Sequence, residues 1–117
     1  MAVEMSFAEF EDLVDRAIES VPQSLVELID NCIVVIEPEP PEDDPHLLGL
    51  YDGIPLTERN SSYSMVLPDR IFIYKSTTLA MCDTYEEVVE EVHITVVHEI
   101  AHHFGVTDET LHELGYD

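Results

Sequence analysis

The chain has 117 residues and a formal net charge of −22, because it contains 26 Asp and Glu residues but only four Lys and Arg residues. So acidic a protein excludes binding to nucleic acid through phosphate contacts, which needs a basic surface. No apolar run is long enough for a transmembrane helix, and the N-terminus lacks the basic segment of a secretory signal. The hydrophobic content of 45% is typical of a folded protein. We therefore expect one cytoplasmic domain over residues 1–117.

The first part of the chain is predicted to be helical. Ser6 and Glu9 have the spacing of a capping box, and an apolar pattern of helical period follows them. This pattern predicts an amphipathic helix that ends near Ser20. Pro22 suits the first turn of a second, short helix over the apolar residues that follow it.

The middle of the chain is predicted to be rich in strands. The β-branched run 32–36 indicates a buried strand, and the proline-rich acidic segment 37–45 indicates an exposed loop. Further strand candidates are residues 47–51, 62–66 and 70–74.

The last part of the chain returns to helical patterns. A short helix is predicted around residues 77–81, and a long helix is predicted to begin after Thr84 as its N-cap. A closing helix is predicted to begin with Thr107 as its cap and to stop at Gly115. The long helix carries a predicted apolar stripe of helical period: Tyr85, Val88, Val89, Val92, Val96, Ile100 and Phe104. This order of elements predicts an α+β fold, with a small mixed sheet packed against helices on one face.

The most informative motif reads H-E-x-x-H-x-x-G-x-x-D, from His98 to Asp108. On a helix, His98 and His102 project from the same face, one turn apart, so one zinc ion can bind both imidazoles. Glu99 lies about 100° round the helix, where a general base belongs. Gly105 can end the helix with positive φ and turn the chain back, so that Asp108 becomes a third ligand. The competing interpretation is a solvated, acidic helix end that bears histidines.

Other polar side chains near the C-terminus have several candidate roles. His112 lies four residues after Asp108 and is a substitute ligand, a stabiliser of the transition state, or a surface residue. Tyr116 is a second candidate donor to the transition state. His103 projects away from both predicted ligands, so we interpret it as structural. Cys32 and Cys82 have no metal-ligand spacing and are interpreted as buried thiols.

The motif resembles that of the zincin metallopeptidases, with metzincin-like ligand spacing and aspartate where histidine is commoner. Segments 47–59 and 67–71 resemble a small bacterial family of minimal zincins, so that the resemblance spans residues 6–117. It implies a minimal zincin-like α+β fold with a long metal-binding helix, bound Zn²⁺, and an edge strand that pairs with an extended substrate. One departure is that no methionine follows Met81 in this sequence. Metzincins have a methionine-bearing turn beneath the metal, downstream of the third ligand.

The predicted function is hydrolysis of peptide bonds by a zinc-activated water, with Glu99 as general base. The alternatives are a non-catalytic, zinc-stabilised module that binds peptides or proteins, and an acidic interaction protein without metal. The expected partner is a peptide or protein substrate, with no nucleic acid, no membrane, and at most weak self-association. Three interpretations of the acidic surface remain open: simple solvation, adaptation to high salt, and attraction of a basic partner.

Overall fold

Three helices and three strands occupy the part of the chain that the structure, a computed structural model, describes: residues 3–21, 23, 32–53, 68–106 and 109. The elements are α1 (Phe7–Glu19), β1 (Cys32–Glu37), β2 (Gly49–Asp52), β3 (Asp69–Tyr74), α2 (Lys75–Ala80) and α3 (Tyr85–His103). The predicted helix after Pro22, the strand at 62–66 and the closing helix from Thr107 lie outside the described residues.

The described strands form one mixed sheet in the order β1-β3-β2. Strand β1 runs parallel to the central strand β3, and β2 runs antiparallel to it. Val34 and Tyr51 both pair with Ile71, so these three side chains share the face of the sheet that meets the helices. The structure therefore confirms the predicted α+β class and the strands at 32–36, 47–51 and 70–74, with small shifts at their ends. The prediction that β1 is a buried strand was wrong, because Ile33 is exposed and the other β1 residues are only partly buried.

Helix α1 begins and ends as its sequence predicts. The Ser6 hydroxyl accepts a hydrogen bond from the Glu9 backbone N–H at 3.1 Å, and the Glu9 carboxylate accepts one from the Ser6 N–H at 3.4 Å. This reciprocal pair satisfies two of the N–H groups that a helix start leaves without intrahelical partners. Four side chains of the predicted apolar pattern are buried in α1, namely Phe10, Leu13, Val14 and Ala17. Phe7 was predicted to belong to the same apolar face but is exposed.

The core lies between α1, α3 and the inner face of the sheet. Helix α3 contributes one side chain per turn, namely Val88, Val92, Val96 and Ile100, and these pack with Ile71 and Ile73 of β3. The prediction was wrong for Tyr85 and Val89, which are 48% and 41% exposed. Both line an open groove between α1 and α3, because α1 covers only one side of the long helix.

The two cysteines are thiols and are not joined in a disulfide. Cys82 is fully buried, as predicted, whereas Cys32 is only partly buried. Burial, followed by the negative charges of Glu91, Glu87 and Asp83, raises the pKa of the Cys82 thiol, which therefore stays protonated and unreactive near neutral pH. Among the described helices, none is both long and apolar enough to cross a membrane.

Candidate metal centre

Two imidazoles meet on one face of α3 near its C-terminal end. Thr84 caps the start of the helix by accepting a hydrogen bond from the Glu87 N–H at 3.2 Å, and the helix continues to His103. The Nε2 atoms of His98 and His102 lie 3.1 Å apart, and their ring centroids lie 4.7 Å apart. Both side chains are partly exposed, so they face a cleft and not the core, as their position on the helix predicts.

The spacing of these two nitrogens suits one shared cation. Two ligands of a tetrahedral zinc ion, each about 2.0–2.1 Å from the metal, lie about 3.3 Å from each other. The observed Nε2–Nε2 distance of 3.1 Å is close to that value. Neutral imidazole is also a preferred zinc ligand. The two histidines therefore fit a zinc ion by both distance and donor chemistry.

Glu99 supplies a carboxylate beside the two imidazoles. Its Oε1 atom lies 3.9 Å from His98 Nε2, and its side chain is only 8% exposed. Potential ligand atoms of His98, Glu99 and His102 all lie within 4.8 Å of one another. This arrangement is compatible with two chemical roles for Glu99: transfer of a proton at the centre, or coordination of the metal.

The end of α3 turns the chain as the glycine predicts. Gly105 has φ of 85°, the left-handed conformation that L side chains rarely adopt. Its N–H donates to the His102 carbonyl and the Val106 N–H donates to the Ala101 carbonyl, both at 2.9 Å. This pair of bonds is a Schellman motif, which closes the helix through its own backbone. Asp108, His112 and Tyr116 lie outside the described residues, so their roles stay predictions.

A groove lies between α3 and the segment that leads into β2. Its volume is about 280 Å³, and it is lined by His46, Leu47, Leu48, Gly49, Glu91, Ile94, Thr95, His98 and Glu99. Two candidate metal-centre residues, His98 and Glu99, are among them, so the groove adjoins the centre.

Gly49 allows β2 to approach α3 closely. A Cβ atom at this position would lie 2.6 Å from Thr95 Cγ2, 3.0 Å from the Phe72 carbonyl oxygen and 3.3 Å from Glu99 Cγ. The first distance is too short for a Cβ atom, so any other residue here would force the Thr95 side chain, the helix or the strand to move. The glycine thus sets how near Glu99 stands to the sheet.

The C-terminal turn of α3 is tied to the sheet by a buried polar network. His103 Nδ1 lies 3.1 Å from Asp69 Oδ2, and the Tyr51 hydroxyl donates to the same oxygen. Because an ionised carboxylate only accepts, Nδ1 carries the hydrogen in this pair. His103 is fully buried and Asp69 is 4% exposed. The structural interpretation of His103 is therefore confirmed, and Asp69 and Tyr51 are its partners.

Tyr74, at the end of β3, lies within the electrostatic influence of the centre. Burial, followed by the negative charges of Glu37, Glu99 and Asp44, raises the pKa of its phenol. Tyr74 therefore remains neutral at physiological pH and adds no charge to the site.

Comparison with known proteins assigns the chain to a family. A sequence profile of zincin-like metallopeptidases matches residues 29–116. The chain belongs to the zincin-like metallopeptidase family. The fold is also similar to that of a conserved hypothetical protein from Thermus thermophilus, with a TM-score of 0.60 and 25% identity over 86% of this chain and 94% of that chain. A comparison with curated proteins gave no match.

Membership in the zincin-like family confirms the resemblance carried by the motif and implies zinc binding. Sequence reasoning did not find Asp69 or Tyr51 as partners of the helix that carries the centre, although both lie in the segments that carry the resemblance. Asp69 is 34 residues from His103 and 18 from Tyr51. No local pattern predicts such pairs, because they depend on how the sheet and α3 pack.

In this zincin-like protein, Tyr51→Phe should lower the free energy of unfolding by about 1.5–3 kcal/mol, since it removes a hydrogen bond to a buried carboxylate. Urea denaturation of the metal-free protein measures this loss. Combined with Asp69→Asn, the two losses should be clearly non-additive, because the residues share one oxygen. Strictly additive losses would contradict the network.

Gly49→Ala should destabilise the protein by about 1–3 kcal/mol, since the new methyl group overpacks the contact with α3. Thr95→Ser removes the Cγ2 atom that stands closest and should restore part of that loss in the double variant. Thermal unfolding of the wild type, both single variants and the double variant provides the comparison. If Gly49→Ala is as stable as wild type, β2 and α3 are not in close contact there.

Proposed function

We propose that the protein is a zinc-dependent peptidase in which His98, His102 and Asp108 bind the metal and Glu99 is the general base. The observation that carries this proposal is the pair of imidazole nitrogens 3.1 Å apart with a buried carboxylate 3.9 Å from one of them. Family membership supports the same chemistry, because the residues 29–116 that match the family include all four proposed site residues.

When bound, zinc supplies a Lewis acid that lowers the pKa of a coordinated water and polarises a substrate carbonyl. The protein supplies the proton transfers. Glu99 takes a proton from the attacking water on its carboxylate and then delivers it to the nitrogen of the leaving amine. Its burial keeps the carboxylate in one place beside the imidazoles, so little reorganisation is needed between the two transfers.

Strand β2 is the proposed site of substrate backbone binding. The Leu48 carbonyl accepts from the Tyr74 N–H at 3.0 Å, so this residue points its peptide groups towards β3. Peptide groups alternate in direction along an antiparallel strand. Those of Gly49 and Tyr51 therefore point to the outer side of β2, which is an edge of the sheet as far as the described strands go. An extended peptide added there would run beside Glu99.

The purified protein should bind one zinc ion per chain. His102→Ala should weaken zinc affinity by at least about 100-fold. Loss of a residue that hydrogen-bonds to a metal ligand already costs about 10–100-fold in affinity, and loss of the ligand itself should cost more. Competition with a chromophoric chelator measures this affinity. His93→Ala is the matched control, because His93 is on the same helix but bonds to Ser20 and is not in the cluster. Equal affinities for the two variants would contradict the proposed ligand.

Glu99→Gln should reduce kcat for peptide hydrolysis by about 10²–10⁴-fold, because it removes the base, and should leave zinc stoichiometry unchanged. Fluorogenic peptide libraries and metal analysis of the same samples provide both readouts. Glu90→Gln, on the exposed side of α3, should behave as wild type. Loss of zinc in Glu99→Gln would identify this residue as a ligand instead. A zinc-loaded wild type that binds peptides but cleaves none would establish the non-catalytic binding module.

A further inference from the structure

One face of α3 connects the metal centre to a carboxylate farther back along the helix. Glu91, Thr95 and His98 are spaced four and three residues apart, so they lie on the same side of the helix. All three line the groove described above. At 1.5 Å per residue, Glu91 stands about 10 Å from His98 along the helix axis. The groove thus runs from the proposed zinc ligand to a second acidic group.

The walls between these two ends are apolar and fixed in place. Leu47, Leu48 and Ile94 line the groove. The Leu47 carbonyl accepts a hydrogen bond from Thr77 Oγ1 at 2.5 Å, and the Leu48 carbonyl accepts one from the Tyr74 N–H at 3.0 Å. These bonds anchor the wall opposite α3 to β3 and α2. The shape of the groove is therefore formed before any ligand arrives.

The size of the groove suits one side chain. Its volume of about 280 Å³ lies just below the range of about 300–1,000 Å³ found for sites that hold whole small molecules. A residue next to the bond that is cleaved would place its side chain here, because the His98 end of the groove adjoins the centre. Selectivity for that residue therefore depends on the apolar walls and on Glu91.

We infer that the groove selects a lysine or arginine next to the scissile bond, with Glu91 as the specificity-determining residue. This inference rests on the proposed peptidase function. Lys and Arg carry an apolar stem and a cationic head, so the stem can pack on Leu47, Leu48 and Ile94 while the head meets the carboxylate. An acidic side chain would meet Glu91 as a like charge, and a short side chain would not reach it.

The charges around the groove favour the same ligand. Within the described part of the chain, Glu91 forms no ion pair, so its carboxylate is available to a ligand. The groove is lined by two carboxylates, those of Glu91 and Glu99, and by no lysine or arginine among the described residues. The net charge of −22 also attracts cationic peptides over longer distances, but it does so without regard to position in the peptide.

The test compares peptides that differ only in charge. A set of hexapeptides carries one arginine, moved through each position of an otherwise uncharged sequence, and a second set carries citrulline, its neutral isostere. Affinities are measured on the zinc-loaded Glu99→Gln protein, and kcat/KM is measured on the wild type. At one position, arginine should bind about fivefold tighter than citrulline, the size expected for a partly exposed ion pair.

Substitutions at two neighbouring positions of α3 distinguish a local effect of Glu91 in the groove from the long-range attraction of the protein's net negative charge. Glu91→Gln should abolish the arginine preference at that position, whereas Glu90→Gln should keep it, although both remove one negative charge. Glu90 is exposed and lines the groove between α1 and α3 instead. Glu91→Arg should reverse the selectivity, so that a glutamate peptide binds tighter than its glutamine counterpart. This gain of a new preference cannot arise from misfolding.

The outcomes distinguish the two proposals. An arginine preference that is absent, equal at all positions, or equally reduced in Glu90→Gln and Glu91→Gln would overturn the role of Glu91. If the wild type cleaves peptides but shows one of these results, the specificity inference fails and the peptidase stands. If the position-specific preference is present and no peptide is cleaved, the groove binds basic peptides as inferred and the hydrolytic function fails.

Discussion

One buried carboxylate, that of Asp69, joins the C-terminal end of α3 to the sheet. It begins the central strand and accepts hydrogen bonds from Tyr51 on β2 and from His103 at the end of α3. Breaking such a group out of its network is expensive, because a buried charge without partners has lost its hydration. The position of the helix end, and hence of His102, is therefore coupled to the pairing of two strands.

Helix α3 also contacts the sheet at a second place, through close van der Waals packing and not through charged groups. One to two turns before His103, Thr95 and Glu99 pack directly against the backbone of Gly49. Both anchoring contacts involve β2. Along α3, His98 and His102 lie between the first contact, which begins at Thr95, and the second, at His103. A helix anchored in this way has little backbone freedom left to lose, so less conformational entropy would oppose metal binding. Rigidity of this kind is the means by which a small domain can support a precise site.

The sequence predicted the parts of this structure that depend on neighbours along the chain. The capping residues and the helical period located α1 and α3, and the spacing of His98, Glu99 and His102 predicted their clustering. The sequence-based prediction failed at Tyr85 and Val89, which are exposed because α1 covers only part of α3. The apolar period of one helix does not reveal how much of its surface a neighbouring helix covers. The contacts of Asp69 and Gly49 were also inaccessible, because both join residues that are distant in the chain. The single-domain organisation and the roles of Asp108, His112 and Tyr116 stay predictions.

The Schellman motif at Gly105 has a consequence for how such a site can vary in evolution. The amides of Gly105 and Val106 are already bonded to carbonyls of the preceding turn, so the direction in which the chain leaves α3 is fixed by the backbone itself. Lengthening or shortening the segment between His102 and Gly105 would change the direction in which the chain leaves α3 relative to the two histidines. Related proteins should therefore preserve the three-position spacing between His102 and Gly105.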